Sequence, residues 1–434
     1  MTQKSRPCTD AARDRVRDLM NFIDAAPTAY QAADEERKLL DEAGYRELEP
    51  GERWHFEPGD KRYITLSDTA VIAFRVGAGA AAGFSIAGAH NDSPCFRIKA
   101  APDQGAEGLE LLNVEPYGGV ILRTWLDRPL SVAGRVLLRE GNEPVSRRVV
   151  IDRDWMIIPS LAIHMDREVN GSGAINPQKV MTALCGVDRG ADKKSFVAQL
   201  AAELNVCADA ILDYDLFLYA RERGCFVGTD QELFSIGRID NLGMAHALLH
   251  ALIEAEEGQK HRIVVINNHE EVGSGSLSGA DSVQLRNVLQ RIVIACGGDE
   301  EDFLRSLSSS FLISCDQAHA AHPNYPEVAD PTNRPRINGG PVIKIAASKS
   351  YSTDAESAAR FRLLAEKAGV PVQTFHNRSD RRGGSTIGPI TERWTAIPSV
   401  DVGNAMLSMH SVRELAGVQD HEDMIQIIKC FFEA

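Results

Sequence analysis

Residues 263–276 read IVVINNHEEVGSGS. The β-branched run at the front predicts a short buried strand, and the polar, glycine-rich tail ends it in a turn. That turn carries two adjacent carboxylates, Glu270 and Glu271. Side by side at a strand end they repel each other, and partial burial raises the cost. A cation removes the difficulty, because one carboxylate ligates while the other handles protons. An exposed acidic turn fits this segment equally well when it is taken alone. What decides between them is recurrence along the chain. From residue 235 strands alternate with helices, the pattern of an α/β domain. His90 follows AGFSIAG (82–88), Asp316 follows FLISC, and His410 comes a few residues after AIPSVDV, just before an expected helix. Functional groups in open α/β sheets gather at the carboxyl ends of strands. Asp240 differs, standing at the head of DNLGMAHALLHALIEA, where it is expected to cap the helix and be favoured by its dipole.

Residues 10–44 predict two helices: Val16, Leu19, Met20 and Ile23 have helical spacing, and Ala26-Pro27-Thr28 breaks the run. Residues 62–75 alternate as strands do. Between 95 and 155 the texture changes to short β-like runs, VILRTWL and VAGRVLLRE among them, and 165–195 is polar and glycine-rich. The expected organisation is a discontinuous α/β domain, 1–98 and 235–434, interrupted by a β-rich insert, 99–234.

The chain has 434 residues and a net charge of −14, with 44% hydrophobic and 25% charged residues. There is ample apolar material for a core, and the acidic balance argues against a nucleic-acid surface. No apolar run is long enough to span a membrane, and MTQKSRPCTDAARD lacks the apolar core of a signal peptide. Eight cysteines are scattered without a C-x-x-C pair. They are expected to be reduced, mostly buried thiols of a cytoplasmic protein.

In GAHNDSP, Asp92 stands two residues from His90, where it can orient a ligating imidazole; a solvated turn is the plain alternative. In DQAHAAHPNYP, His319 and His322 read as surface or hydrogen-bonding residues rather than ligands. There is no G-x-S-x-G elbow, P-loop, dinucleotide fingerprint or H-E-x-x-H.

GAHNDSPCFRIK, RIDNL, NNHEEVGSGS, DQAHAAHPNYP, GGPVIK, GGSTIGPI and LSMHSVRE occur in this order over nearly the whole chain. Together they resemble the aspartyl aminopeptidase family of two-metal exopeptidases. The resemblance implies a mixed-sheet, zinc-exopeptidase-like metallopeptidase domain with the insert serving dimerisation. It implies two divalent ions, zinc first and manganese or cobalt as alternatives, one held by His90, Asp240 and Asp316 and the other by Asp240, Glu271 and His410. Glu270 is then the general base on a metal-bridging water, and Asp92 orients His90. His164 matches a position that reaches a neighbouring subunit's site, and Lys344 and Tyr351 match positions near the pocket for the first side chain of a short peptide, Asp or Glu. Dimers assembled into a tetrahedral dodecamer are the implied homo-oligomer. Two segments depart from the family pattern: AASKS before Tyr351, and PEVADPTNRP after Tyr325. Two other classes fit some of the same residues: a two-metal amidohydrolase or deacylase of small amides, and an inactive peptide-binding assembly.

Overall fold

The computed structural model describes residues 7–171, 173–256 and 258–434. The chain divides into two compact units. One holds the chain up to Asp92, Gly224–Met409 and Glu414–Ala434; the other holds Ser93–Arg223 and His410–Arg413. The unit boundaries fall at 92/93 and 223/224, where the sequence reading set them at 98/99 and 234/235.

The first unit is built on a nine-stranded mixed sheet. At its centre His261–Asn267, Phe84–His90, Phe311–Cys315 and Ser399–Gly403 lie side by side, all parallel. The hairpin Lys61–Leu66 and Ala70–Arg75 flanks them antiparallel on one side. Val342–Lys344 runs antiparallel on the other and pairs in parallel with Gln373–Phe375. Side chains alternate across a strand, and here both faces are apolar because both are covered. Val264, Ile266, Ala87 and Ala89 meet the helices Ala29–Glu42, Ile239–Glu254, Ala355–Lys367 and Val418–Phe432. Ile263, Val265, Phe84 and Ile86 meet Gln284–Ala295 and Glu300–Ser308 on the opposite face. That double coverage explains why these strands read as continuous apolar runs. A five-stranded sheet in the same unit packs Phe234, Ile236, Met406 and Ala416 against the helix Asp10–Ala25.

The second unit contains a six-stranded antiparallel sheet, ordered Glu143–Val150, Leu130–Glu140, Ile211–Ala220, Cys95–Ala106, Leu109–Tyr117, Ala183–Val187. It also carries the helix Phe196–Leu204. Its core joins Phe96, Val132, Leu216 and Phe196.

Three local expectations are corrected. VILRTWL is not a strand: Leu122–Trp125 forms a 3-10 turn that buries Trp125 edge-on against Phe96, at 5.2 Å between ring centroids. His410 does not lead directly into a helix, because the strand Glu414–Gly417 intervenes before Val418–Phe432. The cysteines are all free, but Cys315 alone is buried, while Cys207 and Cys225 are exposed. Among the described residues no helix is long and apolar enough to cross a membrane.

Leu248 is fully buried between the helix Ile239–Glu254 and the sheet. Leu248→Ala is expected to cost about 2–5 kcal/mol of stability, whereas Leu363→Ala, at a position 66% exposed, is expected to stay within about 0.5 kcal/mol. Denaturant unfolding of the two variants checks the contrast.

Candidate metal centre

The parallel strands deliver their functional groups to one carboxyl edge. His90 is the last residue of its strand and lies in register with Asn267. Asp316 directly follows Phe311–Cys315. Glu270 and Glu271 form the 3-10 turn Glu270–Val272 just beyond His261–Asn267.

His90 is almost fully enclosed. Its Nδ1 lies 3.1 Å from the main-chain carbonyl of Asp92 and 3.4 Å from the Asp92 carboxylate. A carbonyl only accepts, so in the neutral ring Nδ1 carries the proton and Nε2 presents its lone pair. Nε2 lies 3.6 Å from Asp240, 3.6 Å from Asp316 and 3.9 Å from Glu270. One donor atom each from His90, Asp240 and Asp316 fall within 4.8 Å of one another, as do those of His90, Glu270 and Glu271.

Asp92 has a second task. Its two carboxylate oxygens accept the backbone N–H groups of Glu270 and Glu271, each at 3.1 Å. The turn is reached through His269, which adopts a left-handed conformation (φ 62°), and closes through Gly273 N–H on the Glu270 carbonyl. Left-handed non-glycine residues also stand at Arg238 (φ 61°), two before Asp240, and at His410 (φ 68°). Such backbone is costly and concentrates at functional sites.

Asp240 does not cap its helix. Arg238 occupies the cap position, but its side chain donates to the Ile23 carbonyl rather than capping the helix, and the backbone at Asp240 (φ −83°, ψ 104°) and Asn241 departs from helical values. The Asp240 N–H instead donates to Glu414, and the Asn241 amide donates to the Cys315 carbonyl. The Asp240 carboxylate faces the cluster, 3.6 Å from His90 Nε2.

Lys344 is 2% exposed, so it is not a surface strand lysine. Its ammonium donates to Asp316 and to the Gln317 carbonyl, both at 3.0 Å. It also sits 5.3 Å from the Tyr351 ring centre. Tyr351 is buried and packs with Val342, Phe375, Ala318 and Ala405. His319 and His322 lie outside the carboxylate cluster; His319 is exposed beside Phe375. His410 and His164 belong to the other unit. There His410 Nδ1 is 3.1 Å from the Gly119 carbonyl, and His164 is exposed.

The electrostatics are those of a pocket that gathers positive charge. Burial pushes the Glu270 carboxyl up to about 8, with Asp316 and Glu271 adding to the rise against the pull of His90. Burial acts downward on His90, yet Asp316, Asp92 and Glu270 outweigh it and hold the imidazole well above its ordinary value. Burial also opposes ionisation of Asp316, but Lys344 and His90 hold it well below the usual carboxylate range. Imidazole nitrogen and carboxylate oxygen are donors that zinc accepts, and this set offers both.

Sequence reading missed a layer beneath these groups. Glu36, wholly buried on Ala29–Glu42, accepts from the Asn91 amide at 3.1 and 3.3 Å. That amide also donates to the Thr69 carbonyl, and Thr69 accepts from Asn268. The network joins the turn at 90–92 to the turn at 267–271. Only the asparagines within the two motifs hinted at it, since Glu36 looks like any helix-surface acid.

An enclosed imidazole among carboxylates at the carboxyl edge of a mixed α/β sheet is the layout of a metal-dependent hydrolase. Comparison with known proteins narrows this class. A family described as Aminopeptidase I zinc metalloprotease (M18) matches residues 22–432, and the chain belongs to it as a zinc metallo-aminopeptidase. A probable M18 family aminopeptidase 2 from Clostridium novyi is 48% identical over 422 residues, spanning 96% of this chain and 98% of the relative. Among solved structures, Ape4 in its complex with Nbr1 superposes with a TM-score of 0.94 at 35% identity, covering 98% of this chain and 86% of that one. The S. cerevisiae mApe1 dodecamer gives 0.83 at 26% identity, covering 98% and 96%.

Two outcomes test the supporting shell. A Cβ at Gly403 would lie 1.9 Å from the Asp316 carbonyl oxygen, so Gly403→Ala is expected to displace Asp316 and weaken zinc retention at least about tenfold, read as zinc per folded chain after dialysis. Burial raises Glu36 from 4.5 to about 8, against the Asn91 hydrogen bond. A raised folded-state value means stability is lost as pH climbs through that window, by at most about 1.4 kcal/mol per pH unit. Glu36→Gln removes the loss, so the melting temperature of the variant relative to wild type is expected to rise from pH 5 to pH 8.

Proposed function

We propose that this chain removes an N-terminal Asp or Glu from short peptides, using two divalent ions. His90, Asp240 and Asp316 hold one ion, Asp240, Glu271 and His410 hold the other, and Asp240 is shared. The observation that carries the reading is the convergence of His90 Nε2 with Asp240, Asp316 and Glu270 at 3.6–3.9 Å. The ordered motif LSMHSVRE supports His410. Zinc supplies Lewis acidity toward water and the scissile carbonyl when bound, and manganese or cobalt suits the same donors. Two dications against three ligating carboxylates leave one positive charge, which one hydroxide balances.

Glu270 accepts a proton from the attacking water and returns it to the leaving amine. Its carboxylate stands 3.9 Å from His90 Nε2, beside the donors proposed to hold the ions. Asp92 fixes the angle at which Glu270 meets the water by holding its backbone N–H. It does the same for Glu271, while its main-chain carbonyl fixes the His90 ring. Lys344 orients Asp316. An ammonium has three donors and two are committed, so one remains for the carboxylate of an acidic first residue, with Tyr351 as the apolar wall beside it.

The homo-oligomer is part of the reading. Leu161, Ile163, Met165 and Val169 are exposed on either side of His164. An apolar surface of that kind fits a subunit contact, through which His164 reaches a neighbouring site. The solved mApe1 dodecamer supports a dodecameric homo-oligomer, for which a tetrahedral arrangement of dimers is the reading. Eight free cysteines support a cytoplasmic setting.

Glu270→Gln is expected to keep its metal while kcat falls by at least about a hundredfold; a kcat equal to wild type overturns the base assignment. In a panel of aminoacyl-arylamides with added zinc, manganese or cobalt, the Asp and Glu substrates are expected to lead. Lys344→Ala is expected to lower their kcat/KM more than that of neutral substrates. A preference for N-acyl amino acids would instead identify a deacylase.

A further inference from the structure

A second cluster of metal-type donors lies within the first unit, on side chains that the peptidase reading does not use. His246 and His250 stand four residues apart on Ile239–Glu254 and therefore share one face. Asp18, on Asp10–Ala25, points a carboxylate at both. Its Oδ2 lies 3.2 Å from His246 Nε2 and 3.1 Å from His250 Nε2. The three donor atoms fall within 4.8 Å of one another.

From this geometry we propose that Asp18, His246 and His250 form a separate binding site for a zinc-class divalent ion. Tetrahedral bonds of about 2.0–2.1 Å set neighbouring ligand atoms about 3.3 Å apart, close to the spacing found here. A ligating histidine donates its other ring N–H to an acceptor, and both rings have one at hand. His246 Nδ1 lies 3.0 Å from His421 Nε2, and His250 Nδ1 lies 3.6 Å from Glu254.

Arg15 takes part as well. Its guanidinium lies 2.7 Å from His250 Nδ1, 2.6 Å from Glu254 and 3.4 Å from Glu422. Arginine only donates, so that contact to Nδ1 belongs to the ion-free ring, whose proton is on Nε2 facing Asp18. With an ion on Nε2 the proton moves to Nδ1. Glu254 then accepts it, and Arg15 turns wholly onto its two carboxylates. Asp18, Glu254 and Glu422 against Arg15 leave two negative charges, which one dication balances. The imidazoles select against magnesium and calcium. Asp18 is 52% exposed, so the ion enters from solvent and a water completes its shell. The ion staples the N-terminal helix to the helix that begins beside Asp240.

The competing explanation is a hydrogen-bonded triad with no ion. Equilibrium dialysis at micromolar free zinc separates the two, comparing the full-length wild type with Asp18→Asn and His250→Gln. The site requires one more zinc per chain in wild type than in either variant, and a zinc-induced rise in melting temperature that is larger in wild type than in both variants. Equal zinc content in wild type and folded Asp18→Asn overturns it. That half-exposed, isosteric change keeps the test decisive even if His250→Gln does not fold. Cobalt adds an independent readout, since the visible absorption of the tetrahedral ion is expected to be stronger in wild type than in Asp18→Asn, and identical spectra overturn the proposal.

Discussion

The backbone N–H groups of Glu270 and Glu271 end on the two oxygens of Asp92. Asp92 sits two residues past His90, while the glutamates lie some 180 positions further along the chain. This one carboxylate sets the distance between an imidazole at the end of one strand and a pair of acids at the end of its neighbour. The arrangement works because the two strands are parallel and in register to their last residues, Asn267 beside His90. Shifting the register by one residue would turn every side chain to the other face of the sheet. The fold therefore places the ends of the strands, and Asp92 places the groups upon them.

The cluster illustrates how buried charge is managed. Asp240, Asp316, Glu270 and Glu271 stand close together in a setting where an unpaired carboxylate is expensive. Lys344 answers part of the negative charge and His90 part, and the zinc of this family answers more. Lys344 is buried against Asp316 and the Gln317 carbonyl. A substitution at Lys344 therefore disturbs the carboxylate cluster itself.

Much of this was legible in the sequence because its causes are local. Apolar runs such as IVVI and FLISC must be covered on both faces, and polar groups just beyond them must lie at a sheet edge. The failures also have physical reasons. Asp240 resembles a helix cap because caps are recognised by residue type and position, whereas the backbone path it follows is held by Glu414 and the Cys315 carbonyl. VILRTWL has a strand's composition but follows Trp125 into a core. Glu36 looks like a surface acid on an amphipathic helix, and only the packing of Ala29–Glu42 shows that it faces Asn91. Lys344 sits in a three-residue strand too short for periodicity to report its burial. The cysteines were expected inside because their neighbours are apolar, yet most lie at the margins of the layers.

The sheet order also bears on how the chain is made. Phe84–His90 lies between His261–Asn267 and Phe311–Cys315. It is wholly apolar apart from Ser85 and its terminal histidine, and neither neighbour exists when it leaves the ribosome. At about 5–20 residues per second, the roughly 170 residues to its first partner take on the order of ten to thirty seconds. Through that interval a sticky strand waits without a sheet. The same delay is protective, because the cluster built on His90 cannot assemble until most of the chain has been synthesised. A nascent peptidase of this topology cannot cut its neighbours on the polysome.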